Sequence, residues 1–146
     1  MSETTALIHD LVDASLEGAA FYEEASETIG DRKLRQAFSE LSKAKSDLAQ
    51  NLSAELRAKP KRHTPDDTLA QLSAAYDESR GGLAKASGAS LTALEHSERV
   101  VQKALERVVL DRDNNYVVRV HAKLYAKRAE DFASLLRRRM RETGKR

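Results

Sequence analysis

Cysteine and tryptophan are absent from this chain of 146 residues, proline occurs twice, glycine six times, and aromatic residues make up 5%. Without cysteine there is no disulfide, no thiolate nucleophile and no cysteine-based zinc site. With so few rings the core must be aliphatic. With so few breakers the chain favours helix. No apolar run approaches the roughly 20 residues a membrane-spanning helix needs. The start, Met-Ser-Glu-Thr-Thr, lacks the basic-then-apolar pattern of a signal peptide, so a soluble cytoplasmic protein without membrane contact is the expectation. No glycine-rich phosphate loop, nucleophile elbow or Cys/His zinc spacing occurs, so no small-molecule substrate is identifiable.

What is present is charge and helical periodicity. Charged residues make up 33% of the chain. One domain over residues 1–146 is expected. Ile8, Leu11, Ser15, Gly18, Tyr22, Ala25 and Ile29 fall on one line of a helix, widened by Leu7, Ala14 and Phe21. This predicts a first helix over about residues 3–29, with Gly30 ending it and Asp31 capping the next. Leu34, Phe38, Leu41, Lys45, Leu48 and Leu52 form the stripe of a second helix, about 31–58. Pro60 breaks it. Thr64-Pro65 restarts a short crossover helix over about 65–85, carrying Leu69, Leu72, Tyr76 and Leu83. A third main helix, about 90–110, presents Leu91, Leu94, Glu98, Val101, Leu105 and Val108. A turn over Asp111–Asn115 leads to a fourth, about 113–139, with Val117, His121, Leu124, Arg128, Phe132 and Leu135 inward. The layout is all-α, two antiparallel hairpins joined by a long crossover.

The net charge of +2 is unevenly spread. Residues 137–146 hold Arg137, Arg138, Arg139, Arg141, Lys145 and Arg146 against Glu142, a local +5, leaving about −3 elsewhere. Such a basic tail offers weak nucleic-acid contact through Arg137, Arg138, Arg139 and Arg141. The simpler reading is that cations offset the helix dipole at its C-terminus.

Each long helix carries polar residues on its inward stripe: Ser15 and Tyr22, Lys45, Glu98, then His121 and Arg128. Hairpin geometry puts Ser15 level with Lys45, and Glu98 level with Leu124, between His121 and Arg128. These six are expected to gather in one buried polar layer. An unpaired ammonium in an aliphatic core costs several kcal/mol, so Glu98 and Glu95 are expected to pair with Lys45 or Arg128. The alternative is that the long cationic side chains reach out to solvent at the stripe edge. A second alternative is a reduced metal site, iron or another divalent ion held by Glu95, Glu98 and His121. Within a stripe, however, His121 reads better as a hydrogen-bonded core histidine.

The run Glu17-Gly18-Ala19-Ala20-Phe21-Tyr22-Glu23-Glu24-Ala25, with Asp31 to Leu41 after it, resembles the opening of rubrerythrin-like proteins. Together with Glu95-His96-Ser97-Glu98 and Lys103-Ala104-Leu105-Glu106, it resembles more closely a bacterial ferritin-like domain family of unknown function. The similarity spans about residues 5–138. It implies a ferritin-like four-helix bundle. In rubrerythrin-like proteins the first helix offers a metal-binding Glu where this chain has Ser15. The second offers Glu-x-x-His where Lys45 and Leu48 stand. Glu95-x-x-Glu98 is kept, and no Glu-x-x-His occurs between Val117 and Arg137. The resemblance therefore implies the fold with most of its metal ligands replaced. The expectation is a non-catalytic protein without a cofactor, acting through a protein partner or self-association, or serving as a stress-associated structural protein.

Overall fold

The computed structural model describes residues 5–56, 67–83 and 87–144. The Pro60 break, His63, the Thr64-Pro65 cap, the Leu69 side chain, and Lys145 and Arg146 lie outside the described residues. Among the described residues there are five helices, α1 (Thr5–Thr28), α2 (Arg32–Leu56), α3 (Asp67–Arg80), α4 (Gly88–Leu110) and α5 (Tyr116–Gly144), and no strand. No helix there is long and apolar enough to cross a membrane.

Local chemistry sets the helix ends. The Asp31 carboxylate accepts from the backbone N–H groups of Lys33 and Leu34 at 2.9 and 3.1 Å, capping α2. Ser87 accepts from the N–H of Ser90 at 3.2 Å and caps α4, which starts two residues before the expected Ser90. The α4–α5 turn is built by side chains. Asp111 accepts from the Asp113 N–H, Asn114 donates to the Val108 carbonyl, and Asn115 accepts from the Val117 N–H. Because Asn115 is the cap, α5 begins at Tyr116 and not at residue 113.

The helices form a bundle around one apolar cluster. α1 packs on α2, α4 on α5, and α2 on α5, while α3 lies along α1 and α4. Ser73 bonds Glu17, and Tyr76 stacks on Phe21, so α3 runs parallel to α1. Asn51 meets His121 and Asp31 meets Arg139, so α2 and α5 run antiparallel. All the stripe residues read for α1, α2 and α4 are buried.

On α5 the buried row differs from the expected one. Val118, Ala122, Tyr125, Ala129, Phe132 and Leu136 face the core, whereas Val117 and Leu124 are each 57% exposed. The helix is rotated by about one residue, roughly 100°. Ala122 and Ala129 let α5 sit close, and Tyr125 brings a hydroxyl to Glu98. The row with the larger apolar residues lost to the row that packs closely and satisfies a buried carboxylate. The basic stretch is also no free tail. Residues 137–144 are the last turns of α5.

Candidate functional site

Four main helices and α3 converge on Glu98, whose side chain is 0% exposed. Lys45, with a side chain 1% exposed, places Nζ 3.2 Å from Glu98 Oε1. The Tyr125 hydroxyl donates to the same oxygen at 2.9 Å and accepts from Lys45 Nζ at 2.6 Å. On the other carboxylate oxygen, Oε2, the Tyr22 hydroxyl donates at 3.1 Å. Ser97 Oγ lies 3.4 Å from Oε2, but its single proton is better placed on the Leu94 carbonyl at 2.6 Å. The Lys45 ammonium also lies 5.6 Å from the Tyr22 ring centroid and 5.1 Å from that of Tyr125. Cation–π attraction there is strengthened by burial of the ammonium. The cluster is a closed hydrogen-bonded knot of one cation, one anion and two phenols.

Gly18 makes room for it. A Cβ at this position would lie 2.7 Å from Lys45 Cδ and 2.7 Å from the Tyr76 hydroxyl. The lysine stem therefore passes directly over the bare backbone of α1. Tyr76 stacks on Phe21 at 4.6 Å, and its buried hydroxyl has no hydrogen-bond partner among the described residues.

Three phenols are held well above their usual pKa of 10.0. Burial is the main cause for Tyr22, Tyr76 and Tyr125, and the negative charge of Glu98 is the next. The folded protein keeps these protons where the unfolded chain would release them. Stability is therefore full below pH about 10 and falls as the pH rises further, by up to about 4 kcal/mol per pH unit for three phenols. Tyrosinate absorbance from these three should grow in step with loss of helical circular dichroism. Their ionisation in a still-helical protein would contradict this.

The expected polar layer is only partly the one that forms. Ser15, Tyr22, Lys45 and Glu98 are buried. Arg128 is exposed, and His121 is half-buried beside Asn51 at 3.2 Å, on the α2 side of α5. Both belong to the row that the rotation of α5 turned away from the core. Glu95 sits at the bundle edge, bound by Arg99 at 2.6 Å and Arg137 at 3.2 Å. Tyr125 joins the cluster, and Tyr76 and Ser97 border it, without having been singled out. A buried tyrosine needs a partner for its hydroxyl, so a phenol beside a stripe holding Glu98 was the available signal.

The chain matches no protein-family model, no curated protein and no solved structure.

The iron that the rubrerythrin-like resemblance implies does not suit the donor set. Hard cations ask for several oxygen ligands. Here Glu98 is the one inward carboxylate of the cluster, both its oxygens are engaged, and an ammonium stands against it. Among the described residues no three His, Asp or Glu side chains are grouped to hold a metal, so Glu95, Glu98 and His121 are not brought together.

The arginines of the basic stretch divide. Arg137 reaches Glu95 and Glu130, and Arg139 reaches Asp31 and Glu142. Arg138 and Arg141 are exposed.

Proposed function

We propose that this chain is a ferritin-like four-helix bundle that carries out no metal-dependent reaction and works through protein contacts. The observation that carries the reading is the Lys45 ammonium, 3.2 Å from Glu98 in the sealed centre of the bundle. It supplies the positive charge that a ferritin-like centre would take from a metal. A lysine held there repels divalent cations, and with Lys45 and Tyr125 on Oε1 and Tyr22 on Oε2 both oxygens of Glu98 are engaged. The antiparallel order of α2 and α5, with α3 running back along α1, suits a ferritin-like crossover topology. With Arg137 and Arg139 already paired to acids of the bundle, contact through protein surfaces is favoured over nucleic acid.

The test is elemental analysis of protein purified without chelator, combined with thermal melts in EDTA and in added Fe(II), Mn(II) or Zn(II). The expected result is far less than one metal per chain and the same melting temperature in every condition. Stoichiometric metal, or a melting temperature raised by one of these ions and lowered by EDTA, would overturn the proposal.

A further inference from the structure

The row of α5 that faces away from the core does not face open solvent alone. It borders a groove of about 630 Å³ between α2 and α5, whose floor includes Leu41, Ala44 and Phe132. The partly buried Leu135 lies along its α5 side, and Leu124, 57% exposed, lines an adjoining groove that shares Ala44, Asp47 and Arg128 with it. Arg128 and Asp131 stand between them, and Glu40 and Lys43 stand on the α2 side. Among the described residues Arg128 and Asp131 form no ion pair, either with each other or elsewhere. An apolar seam flanked by unpaired charges of both signs is the composition of a contact surface.

The order of those charges says which partner fits. Asn51 beside His121 and Asp31 beside Arg139 fix the antiparallel register of α2 and α5. Midway between these two ties, Leu41 lies level with Glu130. Consider a two-fold axis lying in the face at that level, at right angles to the helices. It sets α5 against α5 of a second copy, antiparallel, and α2 against α2. Arg128 then opposes the second copy's Asp131 while Asp131 opposes its Arg128. Leu124 opposes Leu135 on either side of that pair. On α2 the same axis sets Glu40 against Lys43 and Lys43 against Glu40. One axis satisfies both helices, because each carries opposite charges three residues apart, centred on the same level. Self-complementarity of this kind is what an isologous interface requires.

We infer that the α2/α5 face is the contact between two copies of this chain, paired antiparallel across this axis. The inference rests on the protein-contact reading above and names its partner, and it does not depend on the metal content of the core. A face roughly 30 Å long and two helices wide offers about 600 Å² per copy, close to the about 800 Å² of standard interfaces. Area alone does not set the affinity, so the test spans a wide concentration range.

Sedimentation equilibrium over about 1–100 µM protein tests it. The intact chain should dimerise, Arg128→Asp should weaken the dimer at least about tenfold by placing like charges opposite each other twice, and Arg128→Asp with Asp131→Arg should restore it. Arg128 is exposed, so the variants should melt as the parent does at the lowest concentration. A monomer throughout the range would overturn the inference and leave the metal result of the preceding section standing. A dimer indifferent to Arg128→Asp, or one not restored by the charge exchange, would overturn it as well.

Discussion

Replacing Lys45 by methionine should lower the free energy of unfolding by about 3–5 kcal/mol, because it strands the Glu98 carboxylate in a site without water. The side chain of Glu98 is 0% exposed and has only phenols left to donate to it. Methionine keeps most of the lysine stem, so packing changes little and the effect reads charge. The expected loss does not mean that the ion pair contributes that much to stability. Desolvating two ions opposes their attraction, and the net benefit over an apolar pair can be near zero. The asymmetry is what matters: both charges together are tolerated and either alone is not. Urea denaturation of the single variant checks this, and a loss below about 1 kcal/mol would mean that Lys45 reaches solvent.

The second large effect is expected where no side chain exists. Gly18→Ala should destabilise by about 2 kcal/mol, although alanine in a helix interior gains about 1 kcal/mol over glycine. The added methyl would sit 2.7 Å from Lys45 Cδ and from the Tyr76 hydroxyl, and 3.0 Å from Lys45 Cε. Overpacking a filled core costs about 1–3 kcal/mol, and displacing the lysine stem also loosens its grip on Glu98. Gly88→Ala is the control. That residue opens α4, and a Cβ there would meet nothing within 4 Å. It should therefore stabilise by about 0.4–1 kcal/mol through the unfolded chain alone. Chemical denaturation of both variants in parallel gives opposite signs if Gly18 is a packing requirement. The same sign for both would remove that role.

Three of the long helices were legible because their stripes are unambiguous. On α1, α2 and α4 a single row holds the large apolar residues, and periodicity finds it. α5 has two candidate rows one residue apart, sharing Phe132. Periodicity weighted by side-chain size selects Val117, Leu124 and Leu135, but helix packing selected Ala122 and Ala129 for their smallness. That shift removed His121 and Arg128 from the polar layer and brought in Tyr125, none of which a one-dimensional pattern decides. Lys45 and Glu98 were readable because a charge inside an otherwise apolar stripe demands a partner of opposite sign. Tyr76 was not, since it arrives from the crossover helix, whose placement along α1 depends on tertiary packing.

Mutual neutralisation of Lys45 and Glu98 inside the bundle is measured most directly by a double-mutant cycle with Lys45→Met and Glu98→Gln. Glutamine preserves the shape of Glu98, its amide oxygen accepting from one phenol and its NH2 donating to the oxygen of the other. If the two charges offset each other, the double variant unfolds at higher urea concentration than either single one, with a coupling energy of at least about 2 kcal/mol. Additive losses, leaving the double variant the least stable of the four proteins, would contradict it.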